Sequence, residues 1–152
     1  MIRRVLVATD GSEAAMAAVR CAITLTQSLG PQASLHIGSV IDYAGVPSML
    51  AKQPAGAPDL LAEQAEEALG LAAAAAFAQG LEVRTHLLSG DIVEAILACA
   101  AEIGADILVA GFHGRNRLAT LVMGSVVGRL VRSTILPVVV IQAPPAESTP
   151  PT

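Results

Sequence analysis

"DILVAGFHGRNRLATLVMGSVVGRLV", Asp106 to Val131, joins a strand-like aliphatic run, a glycine-punctuated loop and a segment of helical period. Ile107 to Ala110 are apolar without a break, the pattern of a strand buried on both faces. From Ser125 onward Val126 and Leu130, and Val127 and Val131, recur four apart, which is one face of a helix. Between these segments Gly111 and Gly114 lack a Cβ, so they admit positive φ and let bare backbone approach a ligand. Ser125 stands at the helix start, where unpaired N–H groups and the positive dipole end favour an anion; its hydroxyl can cap the helix or donate to a phosphate. A strand leading through a glycine loop into a helix is the unit of an α/β domain with a parallel sheet.

The same alternation runs outward through the chain. "RVLVATD", Arg4 to Asp10, reads as a first buried strand. A helix follows from Ser12 to Leu29, capped by Ser12 or Asp10 and stopped by Gly30-Pro31. "SLHIGSV", Ser34 to Val40, is a second strand. Residues 42–58 are rich in Pro, Gly and Ala and too long for an ordinary turn, so they are expected to form a mobile loop or a functional lid. Asp59 is placed as the cap of an alanine-rich helix running to Gln79 and ending at Gly80. Leu81 to Leu88 make a third strand. Asp91 and Glu94 form a capping box before a helix that Gly104 terminates. Asp106 to Gly111 are the fourth strand and "PVVVIQ", Pro137 to Gln142, the fifth. A single domain over 1–143 is expected, with 144–152 a disordered Pro-rich tail.

Composition limits the function classes. The 152 residues suit one domain, and 53% hydrophobic with 2% aromatic residues means a core of Ala, Val, Leu and Ile. A net charge of −4 argues against nonspecific nucleic-acid binding. Yet Gly111 to Arg132 carries Arg115, Arg117, Arg129 and Arg132 without an acid, which suits an anionic small ligand or a solvated basic face. Cys21 and Cys99 lack metal or redox spacing and read as small core hydrophobes of a reducing compartment. The first apolar run is broken by Asp10, and no run nears the roughly 18 residues of a membrane span. A cytoplasmic protein that uses neither membrane nor nucleic acid is expected.

Ligands of parallel α/β sheets bind at the carboxyl ends of the strands. Those ends fall at Thr9-Asp10-Gly11, Val40, Ser89-Gly90 and Gly111. The common phosphate fingerprints G-x-x-x-x-G-K-[ST] and G-x-G-x-x-G are absent, the one lysine being Lys52. "GSVVG" lacks the order of a nucleophile elbow. "HIGS" at His36 lies inside a strand; His36 and His86 are expected to be structural. His113 can serve as an acid, a base or a phosphate ligand, or simply as a loop residue.

"VLVATDGSE", "SGDIVEAIL" and "GFHGRNRLATLVMGSVVGRLV" with "LPVVVI" resemble the universal stress protein family over Arg3 to about Ile141, apart from the connection near 42–58. The G-x2-G-x9-G-[ST] motif of its ATP-binding branch is met at Gly111, Gly114, Gly124 and Ser125. The resemblance implies a Rossmann-like or flavodoxin-like fold of the adenine nucleotide alpha hydrolase type, with a five-stranded parallel sheet in the order 3-2-1-4-5 and helices on both faces. It implies a site of Thr9, Asp10, Val40, Gly111, His113, Gly114, Arg115, Gly124, Ser125 and Val126. Asp10 and Gly111 would contact ribose and the backbone of Val40 the adenine. Gly114, Gly124, Ser125 and Val126 would hold the phosphates of ATP, or of ADP or AMP, with Mg²⁺ or Mn²⁺. No catalytic residue and no protein metal ligand is assigned. A homodimer through Val138–Ile141 is also implied; from the residues alone, an apolar edge strand needs either a partner or cover from its own preceding helix. Phe112 departs from the usual Ser or Thr, Gly128 from Ala or Glu, and Ile92-Val93 from Pro-Ala. The expected role is stress response or regulation through nucleotide binding. The rivals are a slow ATPase or self-phosphorylating enzyme acting through Ser125, His113 or a threonine, and a nucleotide-free dimeric adaptor. A phosphorelay receiver and a flavodoxin fit less well, for want of the receiver's Asp and Lys and of flavin-stacking aromatics.

Overall fold

The computed structural model describes residues 1–43, 57–113 and 123–143. Strands and helices alternate: β1 (Arg4–Ala8), α1 (Glu13–Ser28), β2 (Ser34–Ile41), α2 (Ala57–Ala78), β3 (Val83–Ser89), α3 (Ile92–Ile103), β4 (Ile107–Gly111), α4 (Ser125–Ser133) and β5 (Val138–Ile141). All strand pairs are parallel, in the order β3-β2-β1-β4-β5. The expected five-stranded order and flavodoxin-like α/β class are therefore correct.

Successive residues of each strand face opposite sides of the sheet, so one strand feeds two cores. Val5, Val7, Leu35, Ile37 and Val109 pack with Ala18, Val19, Ala22 and Ile23 of α1 and Leu69, Ala72 and Ala76 of α2. On the other face Leu6, Leu108 and Ala110 meet Val93, Ile96, Cys99 and Ala100 of α3 and Val127 and Leu130 of α4. This double burial is why β1 and β4 read as unbroken apolar runs. Cys21 and Cys99 are free thiols, and burial pushes the Cys99 thiol above its ordinary range.

Local signals explain most boundaries. Ser12 Oγ accepts the Ala15 N–H at 3.3 Å and caps α1. Asp91 Oδ1 accepts the Glu94 N–H at 3.0 Å and caps α3, which Gly104 closes at φ +64°. At α2 the boundary differs: the helix starts at Ala57, so Asp59 lies within the first turn and the expected loop gives up its last two residues. Residues 44–56 of that connection, and the tail 144–152, lie outside the described residues. β1 ends at Ala8, leaving Thr9 and Asp10 to begin the turn, and β3 starts at Val83 rather than Leu81. β5 is an edge strand whose four residues are all half-buried. Among the described residues no helix is long and apolar enough to cross a membrane.

Candidate functional site

The chain winds from β1 through β2 to β3 on one side and continues through β4 to β5 on the other, so the direction of winding reverses between β1 and β4. A crevice opens at such a point beyond the carboxyl ends of the strands. A cavity of about 460 Å³ occupies it, lined among others by Thr9, Asp10, Val40, Gly111, His113, Gly124, Ser125 and Val126. Every expected site residue within the described segments is thus brought to one cavity. Gly114 and Arg115, with Arg117, lie outside the described residues.

The β1 end is shaped by its own turn. Thr9 is buried; its N–H donates to the Gly38 carbonyl at 2.9 Å, and its Oγ1 accepts the Gly11 N–H at 3.2 Å. Gly11, at φ +79°, turns the chain into α1. Asp10 Oδ1 accepts the Ser12 N–H at 2.9 Å, an Asx-type turn that fixes where the carboxylate stands on the rim.

Gly111 lines the cavity, and its missing Cβ also answers a packing demand. A Cβ there would lie 2.8 Å from the Ala14 carbonyl carbon and 2.9 Å from its oxygen, so the missing side chain makes room for the first turn of α1. Its φ is not positive. Beyond it the Phe112 N–H donates to the Ile141 carbonyl at 2.7 Å, and the Phe112 carbonyl accepts the Gly124 N–H at 2.9 Å. The end of β4 is thereby tied to β5 and to the start of α4. A Cβ at Gly124 would press on the Phe112 oxygen at 3.1 Å, a tight approach to which that carbonyl would have to give by a few tenths of an ångström.

The N-cap of α4 is Gly124, with no side-chain cap bond, and Ser125 is the first helical residue. Of the two roles open to the Ser125 hydroxyl, helix cap or phosphate donor, the cap is not taken. The first helical bond runs from the Gly128 N–H to the Gly124 carbonyl. The N–H groups of Ser125, Val126 and Val127 precede it and belong to the unpaired first turn, at the dipole end that favours an anion. Phe112 lines the same cavity, its ring edge-on to His113 with centroids 4.6 Å apart.

The basic segment is partly engaged elsewhere. Arg129 holds Asp91 through two bonds, Nη1 to Oδ2 at 3.1 Å and Nη2 to Oδ1 at 3.2 Å. The Arg129 guanidinium and the Glu94 N–H hold the Asp91 carboxyl below its usual range, and the Arg129 pKa rises in turn. Arg129 thus fastens α4 to the cap of α3. Sequence reasoning missed the contribution of α2, whose Leu61, Gln64 and Ala65 line the cavity with Ser39 and Asp42. Their spacing of three and four marks one helix face, but nothing in the residues says which strand ends that face overlies. Among the described residues no three His, Cys, Asp or Glu side chains converge as a metal site.

Residues 1–142 match the sequence model of the Universal stress protein family. The chain belongs to the universal stress protein family. Universal stress protein MJ0531 of Methanocaldococcus jannaschii is 26% identical over 148 residues, which cover 97% of this chain and 86% of that relative. Among solved structures, MJ0577 has a TM-score of 0.82 at 24% identity, covering 96% of this chain and 99% of the other, a likeness of fold alone. A universal stress protein solved in complex with cAMP is 25% identical, with a TM-score of 0.69 and coverage of 93% and 98%.

Proposed function

We propose that the crevice between β1 and β4 binds an adenine nucleotide, ATP foremost, and that its occupancy serves a stress-response or regulatory role. The observation that carries this reading is that one cavity is lined by Asp10, Val40, Gly124, Ser125 and Val126 together. Asp10, oriented by Ser12, accepts hydrogen bonds from ribose hydroxyls. The Val40 backbone meets the base. The first-turn N–H groups of α4 and the Ser125 hydroxyl receive phosphate oxygens, together with Gly114 and Arg115. The family relative solved with cAMP supports an adenine ligand. With no cluster of three metal-ligating side chains among the described residues, the donors suit an Mg²⁺ or Mn²⁺ ion held mainly by the phosphates, with Ser125 the nearby hydroxyl. Its chemistry there is charge neutralisation. β5, a half-buried apolar edge, supports a homodimer formed through Val138–Ile141.

Calorimetric titration with ATP and Mg²⁺ tests the site. Wild type is expected to bind saturably. Ser125→Ala removes one hydroxyl without removing the cap, and Asp10→Asn keeps an acceptor for the Ser12 N–H while deleting the charge. Each is expected to weaken binding by about tenfold, the scale of one hydrogen bond to a charged group. A folded, nucleotide-free wild type that binds nothing would replace this reading with the adaptor.

A further inference from the structure

β2 and β3 carry one histidine each, and the parallel register sets His86 beside Gly38, one diagonal step from His36. The two-residue period puts both on the face of Val40 and Leu88, toward α3. His36 Nδ1 lies 2.9 Å from His86 Nε2, with ring planes 15° apart and centroids 5.2 Å apart. The rings therefore meet nitrogen to nitrogen, edge to edge. The other nitrogen of His36, Nε2, lies 3.4 Å from Ser34 Oγ. His36 is 3% exposed, and His86 is half-buried.

Such a contact holds one proton between its nitrogens. The neutral pair supplies it in either of two tautomeric arrangements, and the Ser34 hydroxyl can donate or accept to match. One added proton is accommodated within the contact, as a charge-assisted N–H···N bond between the two rings. A second places an N–H on both facing nitrogens, and the contact must open.

Among the described residues, the charges that bear on His36 do not offset that second charge. Arg4 of β1 and Arg84 of β3 add positive charge, and both oppose protonation of His36, as do burial and His86 itself. The buried face of α3 presents Cys99, a thiol that burial keeps neutral, while Glu94 and Glu102 lie on exposed positions of that helix. β3 is an edge strand, paired in the sheet to β2 alone. The order Ser34–His36–His86 also has the form of a nucleophile relay. However, the Ala33 and Ser34 N–H groups are bonded to the Gly30 and Arg3 carbonyls, so they provide no oxyanion donors.

We propose that His36 and His86 form a proton-operated latch that fastens edge strand β3 to β2 and lets it open when the pair takes up its second added proton. The latch is independent of the nucleotide reading. Hydrogen exchange of the full chain, followed by NMR at about pH 7.5 and about pH 4.5, on either side of the ordinary histidine range, tests it. After correction for intrinsic exchange, protection of β3 amides is expected to fall at least about tenfold further than that of β1 and β4. In His86→Gln the amide still donates to His36 but cannot charge, so the extra loss in acid is expected to vanish. A parallel loss across all strands, or a β3-specific loss that persists in His86→Gln, overturns the latch. Should that variant not fold, ring ¹⁵N shifts of wild type decide: two coupled steps shared by both rings support the latch, and two independent single steps refute it.

Discussion

Two glycines near the crevice make opposite demands. The Cβ that Gly111→Ala adds meets α1 backbone at 2.8 Å, and backbone cannot swing aside as a side chain end can. Overpacking of this kind costs about 1–3 kcal/mol, and it displaces the turn that orients Asp10. Gly111→Ala is therefore expected to lower the urea midpoint and weaken nucleotide binding together. Gly128 lies inside α4, where an added Cβ would touch Arg132 Nη1 at 3.5 Å and Met123 Cε at 3.8 Å, both ordinary contacts. Gly128→Ala is expected to stabilise by about 0.5–1 kcal/mol, the helical cost of glycine. Midpoints that move the same way in both variants would contradict this assignment. Both glycines were visible in the sequence, but their difference was not. It depends on α1 lying against β4, a contact between segments far apart in the chain.

At the level of the elements, helix starts were legible wherever a side chain makes the cap. Ser12 and Asp91 announce α1 and α3 and do cap them; Ser12→Ala is expected to cost about 1 kcal/mol, measured by urea unfolding. Two other starts misled. The first turn of a helix needs no N–H from its residues, so Pro58 is admitted there and α2 begins ahead of Asp59. At α4 a glycine takes the cap position and leaves Ser125 to the first turn. Ser125→Ala should accordingly change stability by less than about 0.5 kcal/mol, the range of surface substitutions, while still weakening ATP binding. A stability loss equal to that of Ser12→Ala would return the hydroxyl to a capping role. His36 and His86 were each legible as strand residues with structural roles. Their contact was not, because it rests on the register of β2 against β3, which the residues of either strand alone leave open.

Over the whole molecule, alternating apolar runs and helical periods identify a parallel α/β sheet, whereas the order of its strands was supplied by the family resemblance. His36 on the one hand, and Asp106 and Asp91 on the other, form two acid-sensitive sets. His36 is lowered from an ordinary value of 6.5, first by burial and then by His86, Arg84 and Arg4. Between that value and its folded pKa the unfolded chain holds the proton and the native state does not. Its stabilisation is thus complete above pH 6.5 and declines as pH falls, by at most about 1.4 kcal/mol per pH unit. Asp106 is lowered from 3.8, chiefly because its Oδ2 accepts the Arg3 and Arg4 N–H groups at 2.8 and 2.9 Å; Asp91 is lowered by Arg129. Their contributions persist above pH 3.8 and are lost as pH drops through the folded values. Stability should therefore weaken with acid in two onsets, one beginning below pH 6.5 and one below pH 3.8. Urea unfolding across this range measures both. Asp106→Asn keeps a carbonyl acceptor for the two N–H groups but cannot titrate, so it should shrink the lower onset and leave the upper in place. A wild-type curve flat from pH 7 to pH 4 would mean that His36 takes up its proton in the native sheet as readily as in the unfolded chain.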